Sequence, residues 1–73
     1  MSEQVYKKVE VVGSSPESLE QAIQNAVDRA GKTLHNLRWF EVNEIRGNIE
    51  NGKAGQWQVG VKIAFTLDDG NPA

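Results

Sequence analysis

Cysteine is absent from this 73-residue sequence, and histidine occurs once. Without thiolates there is neither a disulfide framework nor a cysteine zinc site, and one imidazole cannot anchor a metal by itself. Charge of one sign is not in excess either. Eight Lys+Arg stand against ten Asp+Glu, a formal net charge of −2, which argues against nucleic acid as a partner, since phosphate-backbone binding normally shows as a basic face on a basic domain. Nowhere do 18 apolar residues run together, and Met1-Ser2-Glu3-Gln4 has no apolar stretch of the secretory kind. Neither membrane insertion nor export is supported, and a cytoplasmic protein is expected. So short a chain makes one domain. It buries only about 60 % of its unfolded surface, which leaves an unstapled domain marginal and makes self-association the expected remedy.

What is present is alternation. Val5, Lys7, Val9 and Val11 fall on one side and Tyr6, Lys8, Glu10 and Val12 on the other, the period-2 signature of a strand over residues 5–12. Gly13-Ser14-Ser15-Pro16-Glu17 follows, with a serine cap, a proline of preset φ and a carboxylate for the first turn, so a helix is expected from Pro16 to about Leu34. Its apolar stripe is Leu19, Ala22, Ile23, Ala26, Val27, Ala30 and Leu34. Strand-like content returns over residues 37–49, and Asn51-Gly52 signals a tight hairpin. In the last strand Trp57, Val59, Val61, Ile63, Phe65 and Leu67 alternate with Gln56, Gln58, Gly60, Lys62, Ala64 and Thr66, and the odd set must face the helix. The ordered core is expected over residues 5–67, with residues 68–73 an acidic, frayed tail. The fold class is α+β: a β-α-β-β chain with a three-stranded antiparallel sheet around one helix.

If Asn51-Gly52 forms a two-residue loop, Val61 falls opposite Val42 and Ile63 opposite Phe40 on the helix side, whereas a longer loop within Gly52-Lys53-Ala54-Gly55 or a shift of one residue flips the faces. The two-residue loop sets Ala64 opposite Trp39 and Gln58 opposite Ile45 on the face that one helix cannot cover. Trp39 and Gln58 then share the uncovered face, roughly 20 Å apart at ~3.3 Å per residue. One small ligand touching both needs two subunits. An uncovered face carrying tryptophan and isoleucine is the kind that marks an interface.

Residues for covalent chemistry are scarce. His35 stands alone, no serine or threonine has a histidine at motif spacing, and no glycine-rich phosphate loop is present. Ser14 and Ser15 read as helix caps rather than an anion site. Glu41, Glu44 and Glu50 read as solvated or paired strand charges, and His35 as a cation at a helix C-terminus. Trp39 differs, because beside Phe40 on a strand one of the two aromatics must point away from the core. The plainer reading is an oligomer contact. The sharper one is a planar ligand stacked on the indole, its edge read by an amide such as Gln58.

The runs Val5-Tyr6-Lys7-Lys8-Val9-Glu10-Val11-Val12-Gly13, Trp39-Phe40-Glu41-Val42, Glu44-Ile45-Arg46-Gly47 and Trp57-Gln58-Val59 resemble the dodecins, in order and with matching element lengths. The resemblance implies a hollow homododecamer that stores flavin, with flavin pairs stacked between Trp39 residues of related subunits and Gln58 hydrogen-bonded to the isoalloxazine edge. It implies no substrate turnover, but quenching of the flavin excited state and hence photoprotection. Arg46 falls where bacterial members hold an arginine close to the flavin, which favours FMN, with riboflavin or FAD as alternative occupants. Arg38 replaces a common acidic residue beside the tryptophan. Coenzyme A is a weaker implication, with Tyr6, Lys32, Thr33 and His35 as contacts, because Thr66 stands where a relative has arginine. The alternative from another class is a small homo-oligomeric interaction module in which Trp39 only packs between subunits.

Overall fold

The computed structural model describes residues 4–67 of the chain; the acidic tail expected over residues 68–73 lies outside the described residues. Four elements follow one another: β1 (Tyr6–Ser15), α1 (Leu19–Ala30), β2 (Leu37–Glu50) and β3 (Lys53–Thr66). The sheet order is β1-β3-β2 with both pairings antiparallel. β1, α1 and β2 therefore make a split crossover into which β3 inserts as the central strand.

Helix α1 begins later than Pro16 and ends before Leu34. Its cap is Ser18, whose Oγ accepts from the Gln21 N–H at 3.0 Å. Ser15 instead accepts from the Glu17 N–H at 3.0 Å, so the first serine and the proline make a turn, and the second serine satisfies a free helix donor. The helix stops at Ala30, and the chain turns through Asn36 at φ 60° before β2; asparagine tolerates that left-handed geometry better than most residues.

The core joins one stripe of the helix, Ala22, Ala26 and Ala30, to Val59, Val61 and Ile63 of β3, with Val9 and Val11 of β1 packed alongside. Small helix residues let the backbones approach. A Cβ at Gly13 would collide with the Ala22 carbonyl and come within 2.9 Å of the Ala26 methyl group. The helix lies on β1 and β3 and does not reach across β2. Phe40, Val42, Ile45 and Ile49 of β2 thus remain exposed.

Asn51 and Gly52 close the hairpin at φ 53° and 75°, the positive pair that a two-residue type I′ loop demands. Near the loop the expected register holds, and again from Val42↔Val61 to Trp39↔Ala64. Between them it slips, because β3 takes one extra residue around Gly55 and Gln56, and β2 takes one back at Asn43. Gln58 consequently pairs with Arg46, and Ile45 pairs with Val59. This corrects the expected Ile45–Gln58 pair and moves Ile45 to the helix side. The cause is local: the Asn48 Oδ1 accepts the Gln56 N–H at 2.7 Å, so Asn48 spans the first bulge.

Candidate functional site

The face turned away from α1 carries Tyr6, Lys8, Glu10, Val12 and Ser14 of β1, the even positions of β3, and Trp39, Glu41, Glu44 and Arg46 of β2. Two of its β2 residues, Glu44 and Arg46, owe their place to bulges. At Arg38 the extra residue shifts the alternation between Leu37 and Trp39; at Asn43 it does so between Val42 and Glu44. Without the slip at Asn43, Trp39 and Arg46, an odd and an even position of one strand, would not share this face.

At one end of this face Trp39 is held on two sides. The Tyr6 ring meets it edge-on, with centroids 5.0 Å apart and planes at 63°, the geometry that aromatic quadrupoles prefer. The indole Nε1–H donates to Glu41 Oε2 at 2.9 Å. The same oxygen receives Lys8 Nζ at 3.2 Å, an ion pair crossing the central strand. Donation by the indole, then by the ammonium, with the charges of Lys8 and Lys62 behind them, holds the Glu41 carboxyl below its ordinary pKa. Trp39 nevertheless keeps 42 % of its surface exposed. Arg38 completes this end by donating Nε–H to Thr66 Oγ1 at 2.9 Å.

In the middle, Asn43 leans over Gly60, where an added Cβ would come within 2.7 Å of its Oδ1, and donates to Glu10 Oε2 at 2.6 Å. At the far end Arg46 Nε–H donates to Gln58 Oε1 at 2.8 Å. Guanidinium nitrogens only donate, so this bond fixes the amide: its oxygen is engaged by the arginine, and its NH₂ is left to read an acceptor.

Of the residues singled out in the sequence, Tyr6, Arg38 and Trp39 come together at one end and Arg46 and Gln58 at the other. Lys32, Thr33 and His35 lie apart, in the connection from α1 to β2. Thr33 lines a groove of about 390 Å³ between α1 and β1, with Val9, Val11, Arg29 and Leu34. Glu41, which the sequence offers only as a solvated or paired strand charge, is paired with Lys8, and the Trp39-Phe40-Glu41 spacing puts this acceptor two residues from the indole on the same strand face. Among the described residues no three His, Asp or Glu side chains converge to hold a metal ion, and no helix is long and apolar enough to cross a membrane.

The dodecin family model matches residues 5–68. The chain belongs to the dodecin family. A dodecin from Thermus thermophilus is 54 % identical over 65 residues, which cover 89 % of this chain and 94 % of that one. The structure of dodecin from Streptomyces coelicolor superposes with a TM-score of 0.89 at 51 % identity, over 94 % of this chain and 99 % of that chain. A more distant relative, calcium dodecin from Mycobacterium tuberculosis, is 28 % identical over 93 % of this chain and 96 % of its own, and its structure is described as that of a calcium-chelating antigen with a novel calcium-binding site. The β-α-β-β order and antiparallel sheet are those of the family. Membership supports a small flavin-binding dodecin that assembles from copies of one chain.

Proposed function

We propose that this protein stores FMN, stacking it in pairs between Trp39 rings of a hollow homododecamer and quenching its excited state, with no substrate turned over. The observation that carries the reading is the exposed Trp39 face, oriented by Tyr6 and Glu41 on the sheet side that α1 leaves bare. Gln58 adds a ready donor for a ring acceptor, its oxygen already taken by Arg46. Within one chain the two groups are separated by six positions of β3, roughly 20 Å, so a single isoalloxazine touching both has to lie between subunits. The opposite side of β2, with Phe40, Val42, Ile45 and Ile49 exposed, supplies apolar surface for assembly.

The chain acts as one domain, in the cytoplasm, without nucleic acid or membrane as partner. FMN is preferred over riboflavin or FAD because Arg46 adds a cation near the Gln58 end. Coenzyme A is a weaker ligand in this reading: Tyr6 stands on the open face, whereas Thr33 lines the groove on the other side of the sheet. The test is the absorption spectrum and native mass of the purified protein, followed by FMN titration. A flavin spectrum, or stoichiometric FMN uptake with loss of emission, in a particle of twelve chains supports the proposal. A colourless oligomer that leaves added FMN fully fluorescent favours the interaction module instead, for which the exposed β2 residues already offer an interface.

A further inference from the structure

We propose that Glu41 is the positioning residue of the flavin site: its carboxylate, steadied by Lys8, locks the Trp39 indole in the orientation that stacks. The inference rests on the FMN reading and adds a specific part to it. A tryptophan on an open sheet face has rotamers to lose on binding, and each ordered side chain costs part of the affinity. Here the ring is ordered beforehand. Its N–H is fixed by the 2.9 Å bond from Nε1 to Glu41 Oε2 and the ring is packed by Tyr6 at 5.0 Å, while 42 % of Trp39 stays exposed. Glu41 in turn is held by Lys8, whose Nζ lies 3.2 Å from Oε2 and 3.4 Å from Oε1. The three side chains come from two strands that do not pair with each other, joined over the fully buried methyl group of Ala64. An exposed ion pair contributes little to stability. This one is arranged so that its shared oxygen faces the indole.

The test compares Glu41→Leu, which removes the acceptor, with Glu41→Gln, which keeps an amide oxygen for the indole and gives up the charge. Ultraviolet resonance Raman on the ligand-free assembly reads the indole N–H hydrogen bond, and FMN titration reads its consequence. The expected result is loss of the hydrogen-bonded indole signal in Glu41→Leu and its retention in Glu41→Gln. FMN affinity should fall about three- to tenfold in the first and less than about threefold in the second, the scale of one net hydrogen bond. An unchanged Raman signal in Glu41→Leu overturns the proposal, as does wild-type FMN affinity in a variant that has lost the bond. If the wild-type protein takes up no FMN, the flavin reading falls and the positioning role with it. Normal wild-type uptake with an unaffected Glu41→Leu overturns the positioning role alone.

Discussion

Arg46 and Gln58 are joined across the β2–β3 pair by a 2.8 Å bond from the guanidinium Nε–H to the amide oxygen. The bond sets which half of the amide is presented. A ligand edge with an acceptor is welcomed there and one with only a donor is not. Gln58→Glu separates these roles, because the carboxylate still accepts from Arg46, now as a charge-assisted bond, but has no donor to offer. FMN affinity should fall by roughly 0.5–1.5 kcal/mol, the net worth of one hydrogen bond, with assembly unchanged. Calorimetric titration of wild type and variant checks this, and equal affinities would remove Gln58 from the flavin edge.

The contact between Gly13 and the helix leads to a stability prediction. Because a Cβ there meets the Ala22 carbonyl and the Ala26 methyl group, Gly13→Val forces α1 away from β1. Overpacking of this kind costs about 1–3 kcal/mol. Denaturant unfolding at one fixed protein concentration should show the loss, since the stability of an assembly depends on concentration. Gly52→Ala tests a different cause, the positive φ of 75° at the hairpin, where space is ample and backbone strain alone should destabilise.

Much of this was legible beforehand. Alternation in β3 assigned its faces, the Asn51-Gly52 pair signalled the turn, and Trp39 beside Phe40 required one aromatic to leave the core. The bulges were not legible, since a bulge is one unpaired residue whose cost depends on its partners. Asn43 sits there because Glu10 lies within reach of its amide and Gly60 leaves room beneath it. Both partners are distant in sequence. The helix start was misplaced for a similar reason: Ser14, Ser15 and Ser18 are equally good caps by residue type, and only the length that β1 pairs with β3 decides among them. The pairing of Arg46 with Gln58 was hidden for the same reason, since it needs the extra residue around Gly55 and Gln56.

Glu41 gives the site a pH dependence. The groups facing it are Lys8 and Glu10 from β1, Lys62 from β3 and Glu44 along β2, while α1 lies on the other side of the sheet. Indole and ammonium donation hold its pKa below the ordinary value, so the folded protein binds fewer protons here than the unfolded chain, and the contribution grows with pH. It is fully present above the ordinary carboxylate value, about 4.3, and is lost as pH falls through the lower folded value. The melting difference between wild type and Glu41→Gln, followed at low ionic strength from about pH 6 downward, should therefore shrink below that ordinary value. A difference that stayed constant there would mean that the Glu41 charge contributes nothing to the fold.

Quenching offers the most direct access to Trp39. An excited flavin is a strong oxidant and an indole the most easily oxidised side-chain ring, so a flavin held face to face with Trp39 should take an electron and return to the ground state before it emits. Binding and quenching can be separated by substitution. Trp39→Ala removes the stacking surface and should weaken FMN binding by about 1–3 kcal/mol, the scale of stacking a base on an aromatic side chain. Trp39→Phe keeps an aromatic surface but puts a ring that is much harder to oxidise beside the flavin. Its bound FMN should regain part of its emission and a longer excited-state lifetime. Gln58→Ala should do the reverse, losing affinity while the flavin that remains bound stays dark, because the electron donor is untouched. Time-resolved emission at saturating FMN distinguishes these cases. Equal lifetimes in wild type and Trp39→Phe would mean that Trp39 does not control the excited state, and the photoprotective role would fail even with binding intact.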